Sequence, residues 1–271
     1  DIELTEESGN IVAYIGVEAK KMLGRTHGEI LATRPMKDGV IADLKLIESL
    51  LRHFIKKVNK IPFWLLPPKV VVGVPSGITE VEKRAVQEAV QKAGAREVFL
   101  VAEPMAAAIG MGIPVEDPSG NMVIDIGGGT SEIAVIALAG IVCDASVRIG
   151  GDDMDVAIAN YLAHEHNFLV GESTAENIKF EIGSAFPLEE ELEMEVMGRD
   201  RIKGLPQTMT ITSQEIRGAL SETIQSIVAA VRRALEITPP ELAADIKLKG
   251  IVMTGGGCLI RGLEQLVRQE T

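Results

Sequence analysis

Met122-Val-Ile-Asp-Ile-Gly-Gly-Gly-Thr-Ser-Glu-Ile-Ala-Val-Ile-Ala137 is the stretch that decides the fold. Met122 to Ile126 reads as an apolar strand and Gly127-Gly-Gly129 as a turn. From Thr130 to Ala137 the residues alternate again, with Ile133 and Val135 on one face and Glu132 and Ala134 on the other. The glycines therefore join two strands as a hairpin, not a strand to a helix. Three glycines in a hairpin permit positive φ angles and let backbone N–H groups meet an anion at close range. No Gly-Lys-Ser/Thr follows, as a Walker loop requires, and no helix follows, as a dinucleotide fingerprint requires. Asp125 just ahead of a phosphate cradle would repel the phosphate unless a cation lay between them. It therefore implies Mg²⁺, held through water because that ion dehydrates reluctantly. A tight hairpin that is merely rich in glycine accounts for the same residues.

Working outward, apolar strands alternate with amphipathic helices. Asn10 to Val17 reads as a strand. Leu44 to Val58 reads as a helix with Leu44, Ile47, Leu51, Phe54, Ile55 and Val58 on one face. Lys69 to Val74 is a strand closed by Pro75-Ser-Gly77, and Thr79 to Ala93 is a helix opened by a Thr79/Glu82 capping box. Val98 to Val101 is a buried strand, and Pro104 suits the first turn of a small-residue helix. Gly150-Gly151 opens a helix rich in early Asp, and Ser173 with Glu176 reads as a further capping box. Residues 187–212 suggest short strands or loops in a small subdomain. Thr212 and Glu215 cap a long helix that Pro239-Pro240 ends. Gly250 to Thr254 is a strand, Gly255-Gly-Gly257 a turn and Leu259 to Gln269 a helix. The alternation specifies an α/β fold with some parallel strands.

Three further groups qualify as chemical sites, each with a structural alternative beside it. Met253-Thr-Gly-Gly-Gly257 is a strand-to-helix turn that would bring N–H groups and a helix N-terminus to a ligand, or merely pack closely. Glu103-Pro-Met-Ala-Ala-Ala-Ile-Gly110 places an acid at a helix entrance, where the dipole favours it even without a catalytic role. Glu176 and Lys179, three apart, share a helical face, and a capping acid with a surface partner explains them equally.

Composition narrows the class. With 271 residues the chain has room for two domains, and 46% hydrophobic and 24% charged residues describe a globular protein. A net charge of −12 argues against nucleic acid as a partner, since Lys and Arg dominate phosphate neutralisation. Cys143 and Cys258 are too few for a disulfide framework and suit no metal site, which points to a reducing compartment, the cytoplasm. No apolar run is long enough to span a bilayer and no signal peptide is evident.

The order of the pieces carries a resemblance. Glu-Pro-x-Ala-Ala-Ala, then Asp-x-Gly-Gly-Gly-Thr, then Gly-Gly-Asp, then Thr-Gly-Gly-Gly before a helix resembles the motif order of the actin, sugar-kinase and DnaK-type ATPase superfamily. Arg34-Pro-Met-Lys-Asp-Gly-Val-Ile-Ala-Asp43, Pro75-Ser-Gly-Ile-Thr79, Glu103-Pro-Met-Ala-Ala-Ala-Ile-Gly110, Gly120-Asn-Met-Val-Ile-Asp-Ile-Gly-Gly-Gly-Thr130 and Lys179-Phe-Glu-Ile-Gly183 resemble the MreB-type bacterial actins over nearly the whole chain. The resemblance implies a two-domain actin-like ATPase fold, with ribonuclease H-like α/β domains around a nucleotide cleft. The first domain would take residues 1–116, with 1–38 in a small subdomain and 39–116 in the core. The second would take 117–271, with its core in 117–152 and 213–271 and its small subdomain in 153–212.

Carried over residue by residue, the resemblance makes Asp125 the Mg²⁺-associated acid and Gly127, Gly128, Gly129 and Thr130 the phosphate hairpin. Glu103 and Thr130 would position the attacking water. Glu176 and Lys179 would contact ribose and adenine, with Gly255, Gly256 and Gly257 along the other side of the nucleoside and Gly151 and Asp152 near the nucleotide. It implies ATP or GTP as ligand and slow hydrolysis as a switch. It also implies assembly of the chain with itself into filaments, and work with the cell-wall elongation machinery to set rod shape. A DnaK-type chaperone would need a substrate-binding domain, and a sugar kinase added polar residues in the first domain; neither feature is visible. The family's first phosphate motif, an Asp-x-Gly-Thr hairpin, and its last segment are absent, which reads as truncation at both ends and predicts weaker nucleotide binding than in a chain carrying both.

One segment bears on membranes. Ile61-Pro-Phe-Trp-Leu-Leu-Pro-Pro68 sets Phe63, Trp64, Leu65 and Leu66 in a Pro-bounded loop. Arg52, Lys56, Lys57, Lys60 and Lys69 surround it, with no acid between Glu48 and Glu80. Apolar tips with a basic rim suit an anionic membrane surface, although a loop folded onto its own domain would have the same composition. The resemblance favours the membrane, at the cytoplasmic face.

Overall fold

The computed structural model describes residues 14–26, 31–37, 39–59 and 66–271. Contacts divide the chain into two compact units, one of residues 1–74 and 78–101, the other of 75–77 and 102–271.

In the first unit a short helix α1 (Val17–Lys20) precedes an antiparallel pair, β1 (Met36–Lys37) and β2 (Val40–Ile41). The expected strand from Asn10 lies mostly outside the described residues, and at its described end Val17 begins α1 instead. Helix α2 (Leu44–Val58) has the expected bounds because Asp43 caps it, its carboxylate accepting the Lys45 and Leu46 N–H groups at 2.9 and 3.1 Å. Strand β3 (Lys69–Val74) pairs with β4 (Glu97–Ala102), joined through α3 (Glu80–Lys92), whose Thr79/Glu82 capping box forms as the sequence predicts.

The second unit is built on a four-stranded sheet in the order β11-β5-β6-β7. Helix α4 (Glu103–Gly110) leads to β5 (Asn121–Ile126), β6 (Ser131–Ala137) and β7 (Gly140–Val147), a strand that the sequence reading passed over. There follow α5 (Gly151–Glu165), β8 (Phe168–Leu169), α6 (Glu172–Ile182), β9 (Glu193–Asp200) and β10 (Pro206–Thr212). The chain continues with α7 (Ser213–Glu236), α8 (Pro240–Lys249), β11 (Ile251–Thr254), a 3-10 turn (Gly256–Leu259) and α9 (Leu263–Glu270). Strand β6 antiparallel to β5 confirms the glycine hairpin, and β11 supplies the parallel neighbour.

Both faces of this sheet are covered. Met122, Ile124, Ile126, Ile133 and Val135 pack into the main core with residues of α5, α6 and α7, while Val123, Ala134 and Ile136 meet Ala108 of α4. A strand buried on both faces reads as a continuous apolar run, which is what 133–137 shows.

Two local expectations are corrected, at α6 and at the last helix, and one is extended. Helix α6 starts at Glu172 with Gly171 as its N-cap, so Ser173 and Glu176 form no capping box and Glu176 sits inside the helix. Pro239-Pro240 ends α7 and also begins α8, since proline's fixed φ suits a first helical turn. The last helix starts at Leu263, because the glycines after β11 wind into a 3-10 turn first.

Candidate functional site

All of the described candidate residues from Glu103 onward lie in the second unit, with the phosphate-hairpin candidates in the turn that joins β5 to β6. The Gly127 N–H donates to the Thr130 carbonyl at 2.8 Å and closes the turn. The carbonyls of Gly127 and Gly128 accept from the N–H groups of Gly151 and Asp152, at 3.0 and 2.8 Å. The start of α5 is thereby docked on the hairpin, which brings Gly151 and Asp152 to the glycine turn. The approach is so close that a Cβ on Gly150 would stand 2.5 Å from the Gly128 carbonyl oxygen. Among the described residues no acceptor takes the N–H groups of Gly128, Gly129 or Thr130. Three successive donors without partners in a glycine turn are an anion cradle.

Three acids converge beside it. Asp125 and Glu132 are partners across the hairpin, and Glu103 opens α4. Burial, then the charges of Glu132 and Asp125, push the Glu103 carboxyl up to about 7. Burial, then Glu132, also raise Asp125. Glu132 was not among the expected site residues. It is only 1% exposed, and its carboxylate accepts from the Ser76 N–H at 3.1 Å, the Ser76 hydroxyl at 2.7 Å and the Ser146 hydroxyl at 2.5 Å. The available signal was an acid inside an otherwise apolar strand, where a charge survives only if it is hydrogen-bonded. Two carboxyls raised by burial and by neighbouring carboxylates fit a cation nearby. Among the described residues no three His, Cys, Asp or Glu side chains are grouped to ligate an ion directly, so the fit is to a hydrated ion at Asp125.

Around the expected nucleoside contacts, Lys179 is not a surface partner of Glu176. Its side chain is 10% exposed, pairs with Asp155 at 2.8 Å and donates to the Gly151 carbonyl at 2.7 Å. Burial raises the Asp155 carboxyl to about 6 against the lowering pull of Lys179, and Glu176 adds a smaller raising effect from the same helix face. Asp155 is a second residue that sequence reasoning missed, since one Asp in an Asp-rich helix start carries no mark of burial.

Gly255 to Gly257 arrive from β11, which runs parallel to β5 with Thr254 opposite Asp125. Gly255 has φ 83°, and a Cβ there would overlap the Asp125 carboxylate and the Ile126 carbonyl; one on Gly257 would overlap the Ile126 side chain. Around Gly256 the space is open. The Cys258 thiol donates to the Gly255 carbonyl at 2.9 Å, and burial followed by the Asp125 charge pushes that thiol up. Of the loop expected at the membrane, Phe63, Trp64 and Leu65 lie outside the described residues, while Leu66 is 50% exposed. Among the described residues no helix is long and apolar enough to cross a membrane.

Comparison with known proteins gives the family. The family model described as MreB/Mbl protein matches residues 2–271. The cell shape-determining protein MreB of Escherichia coli (strain K12) is 56% identical over 260 residues, 96% of this chain and 75% of that protein. The cell shape-determining protein Mbl of Bacillus subtilis (strain 168) is 46% identical over 269 residues, 99% of this chain and 80% of that one. Among solved structures, MreB 5 of Spiroplasma citri bound to AMPPNP superposes with a TM-score of 0.90 at 38% identity, covering 96% of this chain and 78% of that one. A glycine hairpin flanked by buried acids, a docked Gly-Gly-Asp helix and a match over nearly every residue leave one assignment: the chain belongs to the MreB/Mbl family, the actin-like proteins of the bacterial cell-shape cytoskeleton.

Proposed function

We propose that this chain binds ATP or GTP with Mg²⁺, hydrolyses it slowly as an assembly switch, and forms filaments at the inner face of the cell membrane that organise cell-wall synthesis. One observation carries the reading: a carboxyl raised to about 7, Glu103, stands in one acid cluster with the hairpin whose N–H donors are unpartnered. A general base works best with its pKa near the operating pH, and Glu103 meets that condition. The solved Spiroplasma citri relatives bound to AMPPNP and to ADP support the choice of ligand. Gly128, Gly129 and Thr130 would hold phosphate oxygens through their N–H groups. Glu103 would take a proton from the attacking water, with Thr130 helping to orient it. Asp125 would hold the cation through water, and the cation would neutralise phosphate charge. Glu176, Lys179 and Gly255 to Gly257 would line the nucleoside.

Membership of the MreB/Mbl family disfavours a chaperone or sugar-kinase reading. Phe63 to Leu66 are the proposed membrane tips, supported by the half-exposed Leu66 and the basic residues around the loop. Phosphate release from Glu103→Gln tests the chemistry. Binding should persist while release slows by about 10²- to 10⁴-fold; release at the wild-type rate would remove Glu103 from the mechanism. Electron microscopy with nucleotide and anionic liposomes tests assembly, with Leu65→Ser/Leu66→Ser expected to leave filaments intact and detach them from lipid.

A further inference from the structure

Lys179 is held on two sides. Its ammonium lies 2.8 Å from the Asp155 carboxylate and donates at 2.7 Å to the carbonyl of Gly151. The Phe180 ring centroid lies 5.4 Å away, a third and weaker contact. Asp155 is 3% exposed, so both charges have left water together. A buried pair of this kind persists only when both members are matched, and removing one strands the other. The partners also join separate parts of the site. Lys179 belongs to α6, Asp155 and Gly151 to the first turns of α5, and the Gly151 N–H donates on to the Gly127 carbonyl of the phosphate hairpin at 3.0 Å. An unbroken chain of polar contacts thus runs from α6 through Lys179 and Gly151 to the glycine turn.

We propose that Asp155 is a positioning residue that neutralises Lys179 and fixes its ammonium against the start of α5, so that Lys179 serves the nucleoside as a charge-compensated donor and not the phosphates as a free cation. This rests on the nucleotide-binding reading above. The Gly151 carbonyl takes one of the ammonium's three hydrogens and the Asp155 carboxylate balances its charge as an ion pair, which leaves donor capacity for a ligand. A lysine with its charge already matched cannot distinguish a triphosphate from a diphosphate by Coulomb attraction, because it contributes almost no net field. Discrimination by phosphate count then belongs to the hairpin donors and the cation, and Lys179 with Asp155 sets affinity for the part that ATP and ADP share.

The experiment is calorimetric titration of wild type, Asp155→Asn, Lys179→Met and the double variant with ATP and with ADP, alongside their melting temperatures. Each single variant should lose about tenfold or more in affinity, equally for the two nucleotides. Asp155→Asn should also melt lower because a buried ammonium is stranded, and the double variant should recover that stability while still binding weakly. The stability recovery keeps the test readable even where Asp155→Asn folds poorly. Wild-type affinity in Asp155→Asn or in the double variant would overturn the proposal, as would a Lys179→Met loss at least about tenfold larger for ATP than for ADP. Absence of nucleotide binding by the wild type would instead overturn the functional reading itself, and this inference with it.

Discussion

Gly127-Gly-Gly129 follows β5 and Gly255-Gly-Gly257 follows β11, and because these strands run parallel with Thr254 opposite Asp125, the two turns leave the sheet side by side. The same tripeptide serves different physical ends. In the first turn the glycines leave three N–H donors without a partner among the described residues, and α5 docks on the carbonyl side. In the second, Gly255 takes a positive φ and presses against Asp125 and Ile126, where no side chain fits. Glycine in one place leaves the backbone open to a ligand of the proposed kind, and in the other admits the protein's own neighbouring strand. A triple glycine is thus not by itself a phosphate motif; what surrounds its N–H groups decides.

Stability measurements separate the two turns. Gly255→Ala combines a positive φ with overlap on the Asp125 carboxylate and Ile126 carbonyl. It should cost about 2–4 kcal/mol in denaturant unfolding, the largest effect of the set. A loss below about 1 kcal/mol would mean the turn relaxes and the packing role is overstated.

The acids beside the first turn give the next effect, and it depends on pH. Glu103 has its folded carboxyl raised from 4.5 to about 7, so its favourable contribution is fully present below 4.5 and is lost as pH rises through about 7. Wild-type stability should therefore fall across that window by an amount on the order of 1–3 kcal/mol relative to Glu103→Gln, which stays uncharged. Parallel stability curves for the two proteins from pH 4.5 to 8 would show that Glu103 does not titrate as the structure implies.

Smaller effects sharpen the contrast in ligand binding. A Cβ at Gly128 would meet the Asp152 carboxylate at 3.6 Å, an ordinary contact. Gly128→Ala should therefore change stability by less than about 1 kcal/mol while weakening nucleotide binding by about tenfold. Gly256 has no neighbour within 4 Å of an added Cβ, so Gly256→Ala should leave stability within about 0.5 kcal/mol of wild type. If the nucleoside lies against it, affinity falls by a few fold; unchanged affinity would remove Gly256 from the site and leave the second turn purely structural.

Periodicity and end signals alone determined much of the fold: the bounds of α2, the capping boxes of α3 and α7, β3, and the β5–β6 hairpin. These are local features, set by side-chain spacing and by hydrogen bonds between residues two to four apart, so nearby sequence suffices to specify them. The resemblance supplied the candidate residues, and those from Glu103 onward lie in the second unit. Only the tertiary structure decided which residues share a site and in what state. Glu132 is an interior acid because Ser76, 56 positions away, and Ser146 from the next strand reach it. Asp155 and Lys179 are a buried pair because α5 packs on α6, and the supposed capping acid Glu176 falls inside its helix because Gly171 starts it earlier. Burial and the charges of Glu132 and Asp125 raise Glu103 from the carboxylate range to about 7. Apart from the start of α6, these have no local cause: each depends on which distant group excludes water or supplies a donor, and a linear pattern of residue types carries no record of that.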